Sequence, residues 1–336
     1  MSEDYSDVNP MPTGPVQSTW KVYATHLLLF GLTFLTTTLA GVQWLNNNPL
    51  ELRNFPMGLT YSILILLMLG SHEFGHYFAA RIHRVATTLP FFIPFPSFLP
   101  LVVPFGTMGA VIRVRSAIPS RKVLFDIGAA GPIAGFVVSL LILVIGFITL
   151  PPREYLYMIH PEYAQMAVVP EGGIRFGETI LFTALAEIFA PAGSFLPPMN
   201  EVYHYPFLCV GWFGLFVTSM NMIPIGQLDG GHISFAMFGI RYHAIGQASL
   251  VILVILGLLG FLPAIGIDFP YGWTGWLFWA VILIFFIRGK NLGRAPVLDE
   301  TPLDPTRQMI GWLCYAMLLS SFSLAPFTVS SADVLF

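Results

Sequence analysis

Two histidines and a glutamate form the pattern His-Glu-x-x-His at His72, Glu73 and His76. Four residues are close to one turn of an α-helix, so both imidazoles would lie on one helix face. Two imidazoles in this arrangement, with a carboxylate beside them, are the ligands and general base of zinc hydrolases. The pattern therefore predicts metal-assisted hydrolysis, although by itself it also occurs by chance in soluble helices.

The stretch that carries this pattern is hydrophobic enough to cross a membrane. Residues 57–80 contain no Asp, Glu, Lys or Arg other than Glu73, and about 20 apolar residues span the hydrocarbon layer of a bilayer. Charged side chains there cost roughly 2.5–3.5 kcal/mol each on insertion scales, so they are usually functional. The expected zinc chemistry therefore lies inside the membrane.

The composition of the whole chain is that of a polytopic membrane protein. Of its 336 residues, 55% are hydrophobic and only 10% are charged, whereas soluble domains are about a quarter charged. The net charge of −3 and the lack of a basic cluster give no indication of nucleic-acid binding. The two cysteines, Cys209 and Cys314, provide neither a disulfide framework nor a cysteine-based zinc site.

We predict an all-α polytopic membrane protein with six or seven transmembrane helices. The predicted spans lie at about 22–40, 57–80, 126–150, 206–226, 246–267 and 273–287, with a weaker seventh at 309–327. They form an intramembrane domain at 22–327, between a short polar N-terminal tail (1–21) and a C-terminal tail (328–336). The N-terminal tail lacks the marks of a secretory signal or a transit peptide, so the first span is expected to be retained.

The distribution of Lys and Arg predicts the orientation of the chain. If all seven spans cross and the N-terminus is cytoplasmic, only Arg53, Arg153 and Arg175 of the 15 Lys and Arg residues lie outside. Spans two and four then run in the same direction. His72 lies about 22 Å along span two, in a hydrocarbon layer about 30 Å thick. The site is therefore expected below the membrane surface on the cytoplasmic side.

Residues 151–205 are predicted to form an extracytoplasmic loop without a crossing. The most apolar part, 174–192, contains charged residues and an uncharged core too short to span, so we expect a surface or partly re-entrant amphipathic helix on the outer face. The loop is short for an inserted module, and no PDZ-type domain is expected. His160, His204 and His243 have no recognisable partner in the sequence, and no role is predicted for them.

Residues 90–112 are apolar, but their five prolines exclude a continuous helix. Non-helical backbone at membrane depth is tolerated only where protein or a cavity satisfies its polar groups. The sequence therefore predicts a re-entrant loop or short β-hairpin near the active site, with an edge that a peptide substrate could pair with. A loop resting on the membrane surface is an equally good alternative.

A catalytic zinc normally has a third protein ligand, and Asp229 is the carboxylate at matching depth, just beyond span four. Pro224 and nearby glycines break the helix there, which implies a cavity wall that admits water. Glu73 follows His72 directly, so it points beside the metal and suits a general base. Asn221 could donate to the oxyanion of a tetrahedral intermediate, or it could simply hydrogen-bond a neighbouring helix.

These motifs resemble those of a known family. The segment at 72–76 and the motif Asn221-x-x-Pro224-x-x-x-Leu228-Asp229-Gly230 are similar to the site-2 protease family of intramembrane zinc proteases, in a form without a PDZ domain. The resemblance covers about 57–300. It includes Gly131-x-x-x-Gly135 in span three, a pattern that we interpret as close helix packing.

The resemblance implies a role for each matching residue. The metal ligands would be His72, His76 and Asp229, which would hold one Zn²⁺ per chain. Glu73 would be the base that activates water, and Asn221 would stabilise the intermediate. Residues 106–112 would form the re-entrant loop that meets the substrate.

The resemblance also implies an activity, partners and a location. The expected activity is a zinc-dependent endopeptidase that hydrolyses peptide bonds in or near the transmembrane helices of membrane-anchored proteins. The partners would be those substrates and the lipid bilayer, and the process would be regulated intramembrane proteolysis. We expect a multi-pass protein of a bacterial cytoplasmic membrane, with its active site towards the cytoplasm.

Two other classes of protein remain open at this point. Buried His and Asp residues could line the ion path of a transporter or metal-handling membrane protein, although that reading predicts further ionisable residues on several helices or an inverted repeat. A catalytically inactive relative that acts as a binding protein is disfavoured by the complete ligand and base set.

Overall fold

Long apolar stretches of the sequence form α-helices, and the proline-rich segments between them form short strands and turns. The computed structural model describes residues 19–96, 104–267, 269–288 and 297–329. Its α-helices are α1 (Thr19–Trp44), α2 (Leu59–Ile82), α3 (Arg121–Ile148), α4 (Glu154–Tyr157), α5 (Ile180–Phe189), α6 (Pro206–Met222), α7 (Asp229–Phe238), α8 (Tyr242–Leu259), α9 (Gly275–Arg288) and α10 (Pro305–Ser321). The strands are β1 (Phe91–Pro94), β2 (Thr107–Val111), β3 (Ile118–Ser120), β4 (Ile174–Phe176), β5 (Val297–Asp299) and β6 (Phe327–Val329).

Four helical segments of the described residues are long and apolar enough to cross a membrane. They are Trp20–Trp44, Leu52–Ile82, Arg121–Ile148 and Asp229–Ile265. Shorter apolar helices include Pro206–Met222 and Gly275–Phe285. The mostly helical membrane fold is therefore confirmed, whereas the number of six or seven crossings stays a prediction. The predicted tails and domain bounds are likewise untested, and residues 1–18 and 330–336 lie outside the described residues.

Helix α3 lies at the centre of the bundle and packs against α2, α6 and α7. Ser120 caps its first turn, because the Ser120 side chain accepts a hydrogen bond from the backbone N–H of Val123 at 3.3 Å. Arg121, at the start of α3, donates to the carbonyl of Ala236 in α7 at 2.7 Å. This hydrogen bond holds α7, which begins at Asp229, against α3.

The segment 90–112 contains the predicted hairpin strands. β1 pairs with β2 in an antiparallel register that places Phe91 opposite Val111. β1 packs on α1, and β2 packs on α2, the helix that carries the His-Glu-x-x-His pattern. The strand pair is thus confirmed beside the expected site. Residues 97–103, which include Pro100, lie outside the described residues, so a re-entrant loop stays a prediction.

Aromatic side chains join the segment 151–205 to the helices. Phe176 of β4 stacks on Trp212 of α6 with ring centroids 4.5 Å apart, and it also contacts Trp44 at the end of α1. We call this the distal end of the bundle, where α1 and α3 end and α2 and α6 begin.

The predicted amphipathic helix begins later than the sequence indicated. Residues 174–176 form β4, which pairs with β6, and the helix occupies only Ile180–Phe189. Thr179 starts the helix, since its side chain accepts from the backbone N–H of Phe182 at 3.1 Å. The expected helical start at residue 174 was wrong because the β6 partner, far along the chain, captures those residues as a strand.

Candidate metal centre

Helix α2 places three potentially reactive side chains in the protein interior. His72, Glu73 and His76 are 4%, 8% and 7% exposed. The two imidazoles are one helical turn apart, and their Nε2 atoms lie 3.2 Å from each other. Both histidines therefore present a nitrogen to the same point, as the sequence pattern predicted.

Asp229 completes the group from a second element. Helix α6 ends at Met222, and Asp229 is the first residue of α7. Its Oδ2 atom lies 3.3 Å from the Nε2 atom of His72 and 3.3 Å from that of His76. The structure thus brings together the two histidines and the aspartate that the sequence predicted as ligands.

The three ligand atoms fit a tetrahedral zinc ion. Zn–N and Zn–O bonds of about 2.0–2.2 Å give an edge of about 3.3 Å between neighbouring ligand atoms of a tetrahedron. The three observed separations are 3.2, 3.3 and 3.3 Å. The His₂Asp set leaves a fourth position open, which is the arrangement of catalytic rather than structural zinc sites.

A backbone carbonyl orients one of the imidazoles. The Nδ1 atom of His76 lies 2.7 Å from the carbonyl oxygen of Ile127 in α3. A carbonyl only accepts hydrogen bonds, so Nδ1 carries the proton and Nε2 keeps its lone pair for a metal. Sequence reasoning missed this contact, because a backbone carbonyl has no residue-type signal.

Two glycines of α3 make room for the ligand imidazoles. A Cβ atom at Gly131 would lie 2.1 Å from the Nε2 atom of His76, and one at Gly135 would lie 3.0 Å from the Cβ atom of His72. The Gly131-x-x-x-Gly135 pattern thus permits close helix packing, as predicted. The structure adds that the side chains of His72 and His76, two of the predicted metal ligands, occupy this space.

Glu73 and Asn221 lie next to the ligand atoms. The backbone of Ile112, just beyond β2, lies close enough to the Glu73 carboxylate to interact with it. The Nδ2 atom of Asn221 lies 3.5 Å from the Nε2 atom of His72. Asn221 is therefore within reach of the ligand group, and Glu73 lies close enough to His76 and Asp229 for their charges to act on it.

Comparisons with known proteins identify similar sequences. A sequence profile of the family described as peptidase family M50 matches residues 60–262, more than half of the chain. A probable zinc metalloprotease EGY2, chloroplastic, of Oryza sativa subsp. indica is 30% identical over 288 residues, which are 84% of this chain and 46% of that protein. The Arabidopsis thaliana protein of the same description is 29% identical over 243 residues, 72% of this chain and 37% of that protein. A probable zinc metalloprotease EGY1, chloroplastic, of Arabidopsis thaliana is 30% identical over 200 residues, 60% of this chain and 32% of that protein.

The comparisons show how much of each relative this chain covers and in which organelle the relatives lie. The chain spans less than half the length of these curated relatives. The expected bacterial cytoplasmic membrane is contradicted, since the relatives are chloroplast proteins of plants and point to a chloroplast membrane. The expectation was wrong because Lys and Arg asymmetry predicts which way a chain crosses a membrane but not which membrane it crosses.

Proposed function

Because the chain belongs to peptidase family M50, we propose that it is a zinc metalloprotease that hydrolyses peptide bonds in or near the transmembrane helices of membrane-anchored proteins. One observation carries the proposal. Two imidazoles of α2, an apolar helix of membrane-spanning length, converge with the carboxylate of Asp229 from α7 at tetrahedral spacing, and Glu73 lies beside them. The chloroplast relatives support a chloroplast membrane as its location.

The residues divide the chemical work between them. His72, His76 and Asp229 hold the metal, and Zn²⁺ when bound supplies a Lewis acid that acidifies water and polarises a carbonyl. Glu73 accepts the proton of the attacking water and later delivers it to the leaving amine nitrogen, as a general base and then a general acid. Asn221 donates its amide N–H to the oxygen on which negative charge develops.

The strand β2 provides a place for an extended substrate. In an intact transmembrane helix the carbonyls are occupied by intrahelical hydrogen bonds, so the substrate must unwind before cleavage. Among the described residues β2 pairs with β1 alone, and Met108 and Val111 of β2 are 67% and 43% exposed. A substrate that adds to this edge would place its backbone next to Glu73, because β2 leads directly into Ile112.

The test is cleavage of a synthetic transmembrane peptide by purified protein in lipid nanodiscs. Glu73→Gln keeps the shape of the side chain and removes the base, so we expect normal zinc content and a 10²–10⁴-fold loss of cleavage rate. Glu187→Gln, which changes an exposed carboxylate of α5, is the matched control and should cleave at the wild-type rate. Wild-type cleavage by Glu73→Gln would refute the proposal. Zinc flux across the membrane without cleavage would favour a transporter.

A further inference from the structure

A second group of two imidazoles and one carboxylate lies at the distal end of the bundle. His160 follows α4, whereas Glu201 and His204 lie in the segment that leads into α6. Their potential ligand atoms lie within 4.8 Å of one another. Helix α6 separates this group from Asn221 by about 25 Å, at 1.5 Å per residue over its 17 residues. It is therefore distinct from the His72, His76 and Asp229 centre.

Each imidazole has one nitrogen engaged by an acceptor. The Nδ1 atom of His204 donates to the carbonyl oxygen of Trp44, at the end of α1, over 2.5 Å. The Nδ1 atom of His160 lies 3.2 Å from the Oε1 atom of Glu162. Because these partners accept, the protons belong on the two Nδ1 atoms, and both Nε2 atoms carry lone pairs.

The two lone pairs point at each other. The Nε2 atoms of His160 and His204 are 3.0 Å apart, a repulsive arrangement unless a proton or a cation lies between them. A cation is the partner that also satisfies the carboxylate of Glu201, whose Oε2 atom lies 3.4 Å from the Nε2 atom of His204.

The carboxylate of Glu201 resembles the two imidazoles, because one of its oxygen atoms is engaged in hydrogen bonds and the other faces the group. Its Oε1 atom accepts hydrogen bonds from the hydroxyl of Tyr163 at 3.0 Å and from the side-chain amide of Asn200 at 3.1 Å. Its Oε2 atom is buried and has no hydrogen-bond partner among the described residues. That oxygen lies 3.4 Å from the Nε2 atom of His204 and 3.9 Å from that of His160. The side chain is only 3% exposed, so a carboxylate oxygen without a donor is costly there.

The three ligand atoms resemble those of the first centre. Their separations of 3.0, 3.4 and 3.9 Å bracket the edge of about 3.3 Å that a tetrahedral zinc ion requires. The His160 side chain is 19% exposed, which leaves one side of the group open to a water as the fourth ligand. Two imidazoles with one carboxylate suit Zn²⁺ better than Ca²⁺ or Mg²⁺, which prefer oxygen ligands alone.

We propose that His160, Glu201 and His204 form a second zinc site, separate from the proposed catalytic centre. Bound there, the metal joins the loop after α4 to the start of α6 and, through His204 and the Trp44 carbonyl, to the end of α1. These links would fix the distal ends of the helices relative to one another. It adds one zinc ion to the one that the sequence predicted.

Metal analysis of the purified full chain tests the proposal without an activity measurement. After zinc loading and removal of weakly bound metal, we expect two Zn²⁺ per wild-type chain. His160→Ala and Asp229→Ala should each retain one, and the double variant none. His243→Ala, which removes an exposed histidine of α8, is the matched control and should retain two. His160 is chosen because it is the least buried of the three ligands, and the zinc that its variant retains shows that the protein is folded.

A second measurement uses thermal unfolding. Added Zn²⁺ should raise the Tm of Asp229→Ala, in which only the distal site remains, and should not raise the Tm of the double variant. The proposal is overturned if the wild type holds a single zinc that Asp229→Ala removes, or if His160→Ala retains two. These outcomes do not depend on proteolysis, so this proposal and the proposed function can fail independently.

Discussion

Replacing Gly131 with alanine would place a methyl group on the imidazole of His76, one of the proposed metal ligands. The added Cβ atom would lie 2.1 Å from the Nε2 atom of His76 and 2.4 Å from its Cδ2 and Cε1 atoms. Ordinary contacts of a Cβ atom begin near 3.4 Å. Either the ring or helix α3 must therefore move by roughly 1.3 Å.

A displacement of this size is incompatible with the ligand geometry. Metal–ligand distances tolerate changes of about 0.2 Å, so His76 would no longer reach a zinc ion held by His72 and Asp229. Mutations of residues that merely orient a ligand cost about 10–100-fold in metal affinity. Loss of the ligand itself should cost more than 100-fold, or more than about 2.7 kcal/mol. Cleavage should fall below detection at limiting zinc.

Two other glycines provide matched comparisons. A Cβ atom at Gly135 would lie 3.0 Å from the Cβ atom of His72 and 3.2 Å from its Nδ1 atom, so a shift of a few tenths of an ångström suffices. We expect a loss of zinc affinity below 10-fold for Gly135→Ala. At Gly70, which lies on α2, the nearest atom would be the Cζ atom of Phe92 at 3.8 Å. Gly70→Ala should leave zinc binding unchanged and favour the helix by up to about 1 kcal/mol.

The assay is zinc competition with a chromophoric chelator, followed by cleavage of the transmembrane peptide. It is carried out in the His160→Ala background, so that only the proposed catalytic centre contributes. Circular dichroism confirms that each variant keeps its helices. If Gly131→Ala binds zinc within threefold of its parent, the structural argument for this glycine is refuted.

Three further substitutions are expected to separate metal binding, catalysis and stability. Asp229→Asn should lose most of its zinc affinity, because the neutral amide is a far weaker ligand than the carboxylate, and metal analysis in the His160→Ala background measures the loss. Asn221→Ala should keep its zinc and lose about 10²–10³-fold in kcat, the effect of removing one donor to a developing oxyanion. Arg307→Lys should lower stability by about 1 kcal/mol, measured as a lower Tm, because the two hydrogen bonds to Asp126 at 2.8 and 2.7 Å need a guanidinium.

Each of these predictions has its own contradicting result. Full zinc occupancy in Asp229→Asn would remove this residue from the ligand set. A rise in KM alone for Asn221→Ala would indicate substrate binding and not stabilisation of the intermediate. Arg53→Lys, an exposed pair with Glu51, is the control for Arg307→Lys, and equal Tm values for the two variants would show that the Asp126 contact contributes nothing.

The proposed catalytic centre could be predicted from the sequence because each half carries a local pattern. His72 and His76 are spaced by one helical turn, and Asp229 follows a helix break marked by Pro224 and glycines. Helical periodicity and membrane depth were then sufficient to predict that the two histidines and Asp229 lie close together. The support from α3 was only partly predictable, since Gly131-x-x-x-Gly135 indicates close packing but not what is packed.

The group of His160, Glu201 and His204 could not be predicted, because no local pattern in the sequence marks it. His160 and His204 lie far apart in an irregular segment, and no periodicity relates their side chains. Glu201 and His204 show an ExxH spacing, but Glu201 only precedes a single turn of 3₁₀ helix, Val202–His204, and such a turn has no strong sequence signature. The pairing of β4 with β6 was missed in the same way, because it joins residues near 175 and 328 through contacts that only the folded chain defines.

Zinc K-edge X-ray absorption of the His160→Ala variant would identify the metal ligands, since only the His72, His76 and Asp229 centre should then hold metal. We expect two imidazole nitrogens at about 2.0–2.1 Å and oxygen donors at about 2.0–2.2 Å, with the signal lost when Asp229→Asn is added. A coordination shell without imidazole, or one that persists unchanged in the presence of Asp229→Asn, would show that these three residues do not hold the metal.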